Sequence, residues 1–340
     1  MSVGVFGREA ASAINLDLGR IPTLHVIGES IPQAYFKAIK EVWERGFEIR
    51  TEYDRRDDVG KYIDPASRDA RVLIEVINPF AEPRFPPISF CEIGVYIAEM
   101  LGLKDYKVLP LDRLLLKAAG GGENAQEWPY TYPQRLRKYP CGGGHFVDQI
   151  ELTLDRVAKT PFTRRAVATT SLPGIDPMLK EDVPCLREIQ LRCPEKLNGR
   201  LALNMNTTWR SRDLYKAWGD NTLAVTFLQR EWAKEIAEKA GRKVNVGSYA
   251  DYSGSLHIYG QDFGAVGGDS DKGLQSFFDT FTEQSFMERS LTSEMARDML
   301  VLPQLQKLLQ PDQIEQWGFP PESVELLKRL VDRFSEGELP

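Results

Sequence analysis

In Val183-Pro184-Cys185-Leu186 a thiol stands between two strand-like segments, at a turn rather than deep in a layer. The pair Arg164-Arg165 ends twenty residues before it, and Arg210-Ser211, in the run TTWRSRD, begins twenty-five after it. Guanidinium groups near a thiol favour the thiolate, the form that attacks carbon, and the same groups grip a phosphate through paired hydrogen bonds. The combination reads as a nucleophile beside an anion cage. The competing readings are an inert core thiol, because free cysteine is among the most buried residue types, and arginine pairs that form a solvated face. Two arginine sites bracketing one cysteine weigh toward chemistry.

Metal chemistry finds little support. The cysteines (Cys91, Cys141, Cys185, Cys193) form no CxxC or Cys/His cluster with zinc spacing, and the histidines number three (His25, His145, His257). Lys+Arg 43 against Asp+Glu 49 gives a net charge of −6, so no overall basic field exists to bind nucleic acid, and any anionic ligand must be held locally. No apolar run approaches a membrane span, and the N-terminal residues carry no basic-then-apolar signal pattern, so the expectation is a cytosolic protein without a membrane partner.

These side chains need a scaffold, and 340 residues, 42% of them hydrophobic, allow one large or two ordinary domains. Ala34, Ile39, Val42 and Trp43 recur at helical spacing over Ile31–Arg45, with Pro32 in the first turn and Gly46 past the end. Arg71–Ile77 reads as a strand and Cys91–Leu101 as a buried helix closed by Gly102; Asp148–Lys159 is again helical. The middle third is sheet-rich: Ala166–Thr170, Glu188–Arg192 and Leu201–Thr207. Leu223–Ala240 is a long helix ended by Gly241, and a short strand over Ser255–Tyr259 points His257 and Tyr259 to one face. The last eighty residues look mostly helical. Strands and helices do not alternate regularly, which predicts α+β rather than a doubly wound parallel sheet.

The motifs, in chain order, are Asp148-Gln149-Ile150, Pro161-Phe-Thr-Arg164-Arg165, Pro184-Cys185, Leu203-Asn-Met205, Arg210-Ser211-Arg-Asp213, Asn221 and His257-Ile-Tyr259. Together they resemble the thymidylate synthase family from about residue 29 to 263. The segment Tyr130-Thr131-Tyr132-Pro-Gln-Arg135-Leu is closer to the archaeal-type branch and the pyrimidine nucleotide hydroxymethylases. The resemblance divides the chain into an N-terminal extension (1–28), a catalytic domain (29–263) and a C-terminal helical extension (264–340). It implies a mixed sheet packed with helices, with sheets meeting across a homodimer interface.

The implied reaction is transfer of a one-carbon unit from 5,10-methylenetetrahydrofolate, or a related pterin such as a methanopterin carrier, to C5 of a pyrimidine nucleoside monophosphate. Cys185 would add as thiolate at C6, which pushes electron density onto C5. Arg50, Arg210 and Ser211 of one subunit, with Arg164 and Arg165 of the other, would hold the phosphate. Asn221 would meet the base; its carboxamide suits uracil N3–H and O4, favouring dUMP, although a flipped amide suits dCMP. Asp220-Asn221 has a competing reading as a helix N-cap. His257 and Tyr259 would donate to the sugar 3′-hydroxyl, and Tyr132 would help remove the C5 proton with Glu92 orienting water, a role that Glu99 on the same helix also fits. Asp213 would order the pterin site, with turn capping as its competitor.

Leu186 replaces the usual histidine after the nucleophile, Ser171-Leu172-Pro173-Gly174-Ile175-Asp176 replaces the usual tryptophan-containing segment, and no short apolar C-terminal lid is recognisable. A dry site gives methyl transfer, whereas admitted water gives hydroxymethyl. A dUMP or dCMP hydroxymethylase is therefore the alternative within this chemistry. A non-catalytic nucleotide- or RNA-binding protein on the same fold is the alternative outside it.

Overall fold

The computed structural model describes residues 19–89, 91–119, 127–180, 183–195, 199–263 and 275–340. Residues 1–18 of the expected N-terminal extension, part of the glycine stretch after Ala118, and 264–274 of the C-terminal segment lie outside them. The helix read at Ile31–Arg45 is present over those residues as α1: the Ser30 hydroxyl accepts from Gln33 N, Pro32 occupies the first turn, and the Gly46 N–H closes on the Val42 carbonyl. Its buried face, including Ala34, Ile39 and Val42, packs on the parallel pair β1 (Thr23–Gly28) and β3 (Ser67–Val76). Residues 23–28, placed by the sequence in an N-terminal extension, are thus a strand of the main sheet.

Among the described residues that sheet has eight strands. β1, β3, β10 (Val244–Ile258), β8 (Leu201–Trp209), β7 (Leu186–Arg192) and β6 (Val167–Thr169) run in this spatial order, with β2 (Phe47–Ile49) pairing β3 and β9 (Arg212–Asp213) pairing β10. The pairing is parallel for β1–β3 and β10–β8 and antiparallel for β10–β3, β7–β8 and β6–β7, so the sheet is mixed and the α+β expectation holds. β4 (Tyr139–Gly142) and β5 (His145–Val147) form a separate hairpin.

β10 is fifteen residues long, although only its last part reads as a strand in the sequence. Register shifts at Val246/Tyr249 and Ser253/Leu256 break its alternation, and buried Asp251 and Ser253 face inward where apolar residues are expected.

α2 (Ile93–Met100), α3 (Leu111–Ala118), α4 (Tyr132–Arg137), α5 (Gln149–Lys159) and α6 (Gly219–Ala240) complete the body. α1, α5 and α6 pack against the sheet and α6 touches both the others, giving one helical layer over one face. α6 ends at Gly241, whose φ of +61° is a left-handed cap that a side chain would strain. Among the described residues the other sheet face is open: Ile27, Leu73 and Tyr252, on neighbouring strands, are each at least 40% exposed. The C-terminal helices belong to the same apolar core, which runs without a break from Leu24 to Phe334. They dock on the body through Gln304 Oε1, which accepts from Gly94 N at 2.7 Å, and Ser323 Oγ, which donates to the Leu103 carbonyl at 2.9 Å. Among the described residues no helix is long and apolar enough to cross a membrane.

Candidate active site

Strand direction brings the separated motifs together. β8 and β10 are parallel, so Arg210-Ser211 after β8 and Ser255-His257 near the end of β10 share one edge of the sheet. β7 and β3 are antiparallel to them and begin at that edge, which places Cys185, just before β7, and Asp69, early in β3, beside those ends. The register pairs Leu186 with Trp209, His257 with Asp69, and His257 with Asp213.

The result is a cavity of about 430 Å³. Cys185, Tyr132, Arg50, Arg210, Ser211, Asp213, Asn221, His257 and Tyr259, nine residues singled out in the sequence, all line it. Three do not. Glu92, just ahead of α2, is exposed and its carboxylate lies 3.6 Å from Lys307. Arg164 and Arg165 are exposed before β6, outside the cavity.

Cys185 is partly exposed, and its segment is tied to Arg210 twice: Arg210 N donates to the Cys185 carbonyl at 2.8 Å and Arg210 Nη2 to the Val183 carbonyl at 2.7 Å. One short loop therefore fixes both the thiol and a guanidinium. Gly254 lets β10 lie close to the Arg210 backbone, since a Cβ there would lie 3.1 Å from the Arg210 carbonyl oxygen. Tyr132, first residue of α4, packs edge-on to Trp209 with ring centroids 5.9 Å apart, and its hydroxyl accepts from Leu186 N at 3.5 Å, which holds the phenol beside the cysteine. Arg50 reaches the cavity from the other side, its Nη1 donating to the Asp64 carbonyl at 2.7 Å and its guanidinium lying 4.1 Å from the Tyr62 ring centre.

Asn221 is not an N-cap. α6 continues from a helical turn at Leu214–Trp218, and it is Asp213 that caps that turn, its Oδ1 accepting from Lys216 N at 2.8 Å. Asn221 Oδ1 accepts from Arg212 Nε at 3.3 Å and its Nδ2 donates to the Tyr96 hydroxyl at 2.7 Å. Burial, with repulsion from Asp262, pushes Asp213 up to about 6. Burial also pushes His257 down to about 4, with Arg210 further opposing its positive charge.

Sequence reading gave no role to Asp69, Ser255, Glu52, Arg212 or Tyr96, although all but Tyr96 line the cavity. Arg212 lay inside a quoted motif, and its buried pairing with Asp251 at 3.1 Å is the reason a third arginine stands there. Asp69 carries no local signal, because only the β3–β10 register brings it to His257.

A partly exposed thiol, three arginines, a carboxamide and a His-Tyr pair around one cavity make a site suited to covalent chemistry on a small anion bearing a hydrogen-bonding ring. No family model matches the chain. Its curated relatives include proteins named "Putative thymidylate synthase" from Methanosarcina acetivorans, 27% identical over 252 residues covering 74% of this chain and 94% of the relative, and from Methanopyrus kandleri, 28% identical over 245 residues covering 72% and 97%. A relative of the same name from Methanothermobacter marburgensis is 35% identical over a shorter stretch, 39% of this chain and 52% of its own length. The solved structure of thermostable thymidylate synthase A from Bacillus subtilis aligns with 68% of this chain and 81% of its own at a TM-score of 0.46 and 20% identity. The resemblance to the thymidylate synthase family read from the motifs is therefore shared, over most of the chain, by archaeal relatives carrying that name.

Proposed function

We propose that this protein transfers a one-carbon unit from 5,10-methylenetetrahydrofolate or a related methylene-pterin to C5 of a pyrimidine nucleoside monophosphate, with dUMP the first choice and dTMP the product. The observation that carries the reading is that Cys185, Arg210-Ser211, Asn221 and His257-Tyr259, far apart in sequence, line one cavity. Arg50, Arg210 and Ser211 hold the phosphate dianion, His257 and Tyr259 take the sugar hydroxyl, and Asn221 meets the base edge. Cys185 Sγ adds to C6, making C5 nucleophilic, and Tyr132 assists loss of the C5 proton. Glu92 stands outside the cavity, so no step is assigned to it here.

The residues suit a pterin in chemical type. Asp213, in the cavity wall, offers a carboxylate to a ring N–H, and Ala217 in the same wall adds an apolar surface. When bound, that carrier supplies the one-carbon unit and, for methyl transfer, the hydride.

The open sheet face gives a second copy a place to dock. Exposed Ile27, Leu73 and Tyr252 form an apolar patch on it, and Arg164 and Arg165 lie before β6 outside their own chain's cavity. A homodimer through this face brings a partner's arginines to each phosphate. Incubation with dUMP or dCMP and each carrier, with products weighed by mass spectrometry, separates a methyl from a hydroxymethyl gain. Tritium release from dUMP labelled at C5 should vanish in Cys185→Ala while nucleotide binding survives. No release from any pyrimidine nucleotide with either carrier would return the protein to a binding role.

A further inference from the structure

His257 is 6% exposed and lines the cavity, yet its Nε2 is buried with no hydrogen-bond partner among the described residues. A buried nitrogen without a partner is costly, so what the other nitrogen does decides what Nε2 can offer. Nδ1 lies 3.2 Å from Ser255 Oγ, and Ser255 Oγ donates to Asp69 Oδ1 at 2.9 Å. A serine hydroxyl has a single proton. Given to Asp69, it cannot also go to Nδ1, so Nδ1 must be the donor in that pair. The Ser255 carbonyl is a second acceptor beside the ring.

We propose that Asp69 and Ser255 are positioning residues that hold His257 as the neutral Nδ1–H tautomer, leaving Nε2 to accept a hydrogen bond from a ligand hydroxyl. The sequence reading had this histidine donating; the geometry reverses the direction. With its pKa near 4 and Arg210 nearby, His257 is a poor proton acceptor and acts as a hydrogen-bond acceptor instead. Tyr259, whose ring centre is 4.4 Å from the imidazole, supplies a phenol able to donate to the same hydroxyl oxygen. Nε2 is shut from solvent, so a ligand hydroxyl can reach it only once the imidazole moves. On the nucleotide reading, from which the identity of the hydroxyl is taken, the group is the sugar 3′-OH. An ether or ester oxygen there would face acceptor to acceptor, so a 3′-phosphate is rejected.

The full chain labelled with ¹⁵N-histidine tests the tautomer without any ligand, His257→Gln assigning the signal. The expected spectrum at pH 7 has Nδ1 protonated and Nε2 bare. Asp69→Asn, whose amide oxygen still accepts the Ser255 proton, keeps that state, whereas Asp69→Ala frees the proton for Nδ1 and shifts the ring toward Nε2–H. A purely structural Asp69 would not move the tautomer. Calorimetry should then show dUMP binding about tenfold more tightly than its 3′-deoxy analogue in the wild type and in Asp69→Asn, with the preference lost in Asp69→Ala. A protonated Nε2 in the unliganded wild type overturns the proposal outright. If the tautomer is as stated but no nucleotide binds, the nucleotide reading fails alone; if dUMP and its 3′-deoxy analogue bind equally, the acceptor role fails and the nucleotide reading stands.

Discussion

Arg212 Nε donates to Asn221 Oδ1 at 3.3 Å, and because a guanidinium can only donate, this contact fixes which end of the amide is oxygen. The nitrogen end is then turned to the Tyr96 hydroxyl at 2.7 Å. The orientation of this amide is thus set by Arg212, itself locked to Asp251.

Asn221→Asp tests what that orientation does. It removes the Nδ2–H donor and replaces it with an acceptor, which suits a cytosine amino group better than uracil O4. The ratio of dUMP to dCMP affinity, measured by calorimetry, should fall by about tenfold or more.

Arg210→Ala separates anion binding from thiol placement. The backbone N–H that holds the Cys185 carbonyl survives the substitution, while the guanidinium is lost. Nucleotide affinity should drop by about tenfold to a hundredfold, the loss of a charge-assisted hydrogen bond. Unchanged affinity would take Arg210 out of the phosphate cage.

The Arg212–Asp251 pair is a stability determinant. Its side chains are 1% and 0% exposed, and Asp251 Oδ2 also accepts from Trp218 Nε1 at 3.1 Å. Arg212→Leu strands a buried carboxylate and should cost about 3–5 kcal/mol in urea unfolding, with part of the loss recovered by adding Asp251→Asn.

Asp213 gives a pH signature. Its folded value of about 6 lies above the unfolded value near 3.8, so between pH 7 and pH 5 the folded protein takes up a proton that the unfolded chain does not. That increment stabilises the fold as pH falls through 6 and is lost as pH rises through it. Asp213→Asn removes it, so stability should change less favourably from pH 7 to pH 5 in the variant than in the wild type, by about 1 kcal/mol. His257, depressed to about 4, pulls the other way in both proteins and cancels in the comparison.

Local patterns carried the elements. A Ser-Ile-Pro start and a glycine stop delimit α1, and Gly241 ends α6, because caps and backbone restrictions act within a few residues. The resemblance to a family likewise named nine residues of the cavity wall, carried over position by position rather than derived from spacing. What the sequence could not reach was pairing at long range. Whether Asp69 meets His257 depends on strand register, and β10 hid its own length behind two register shifts and an inward-facing Asp251. Glu92 shows the same division from the other side: the resemblance made it a candidate, and only the fold left it outside the cavity, beside Lys307, whereas Arg164 and Arg165, expected to serve the other subunit's site, lie outside their own chain's cavity. Spacing along a chain determines which groups are available, but hydrogen-bond direction, tautomer and amide orientation are settled by neighbours that only folding supplies.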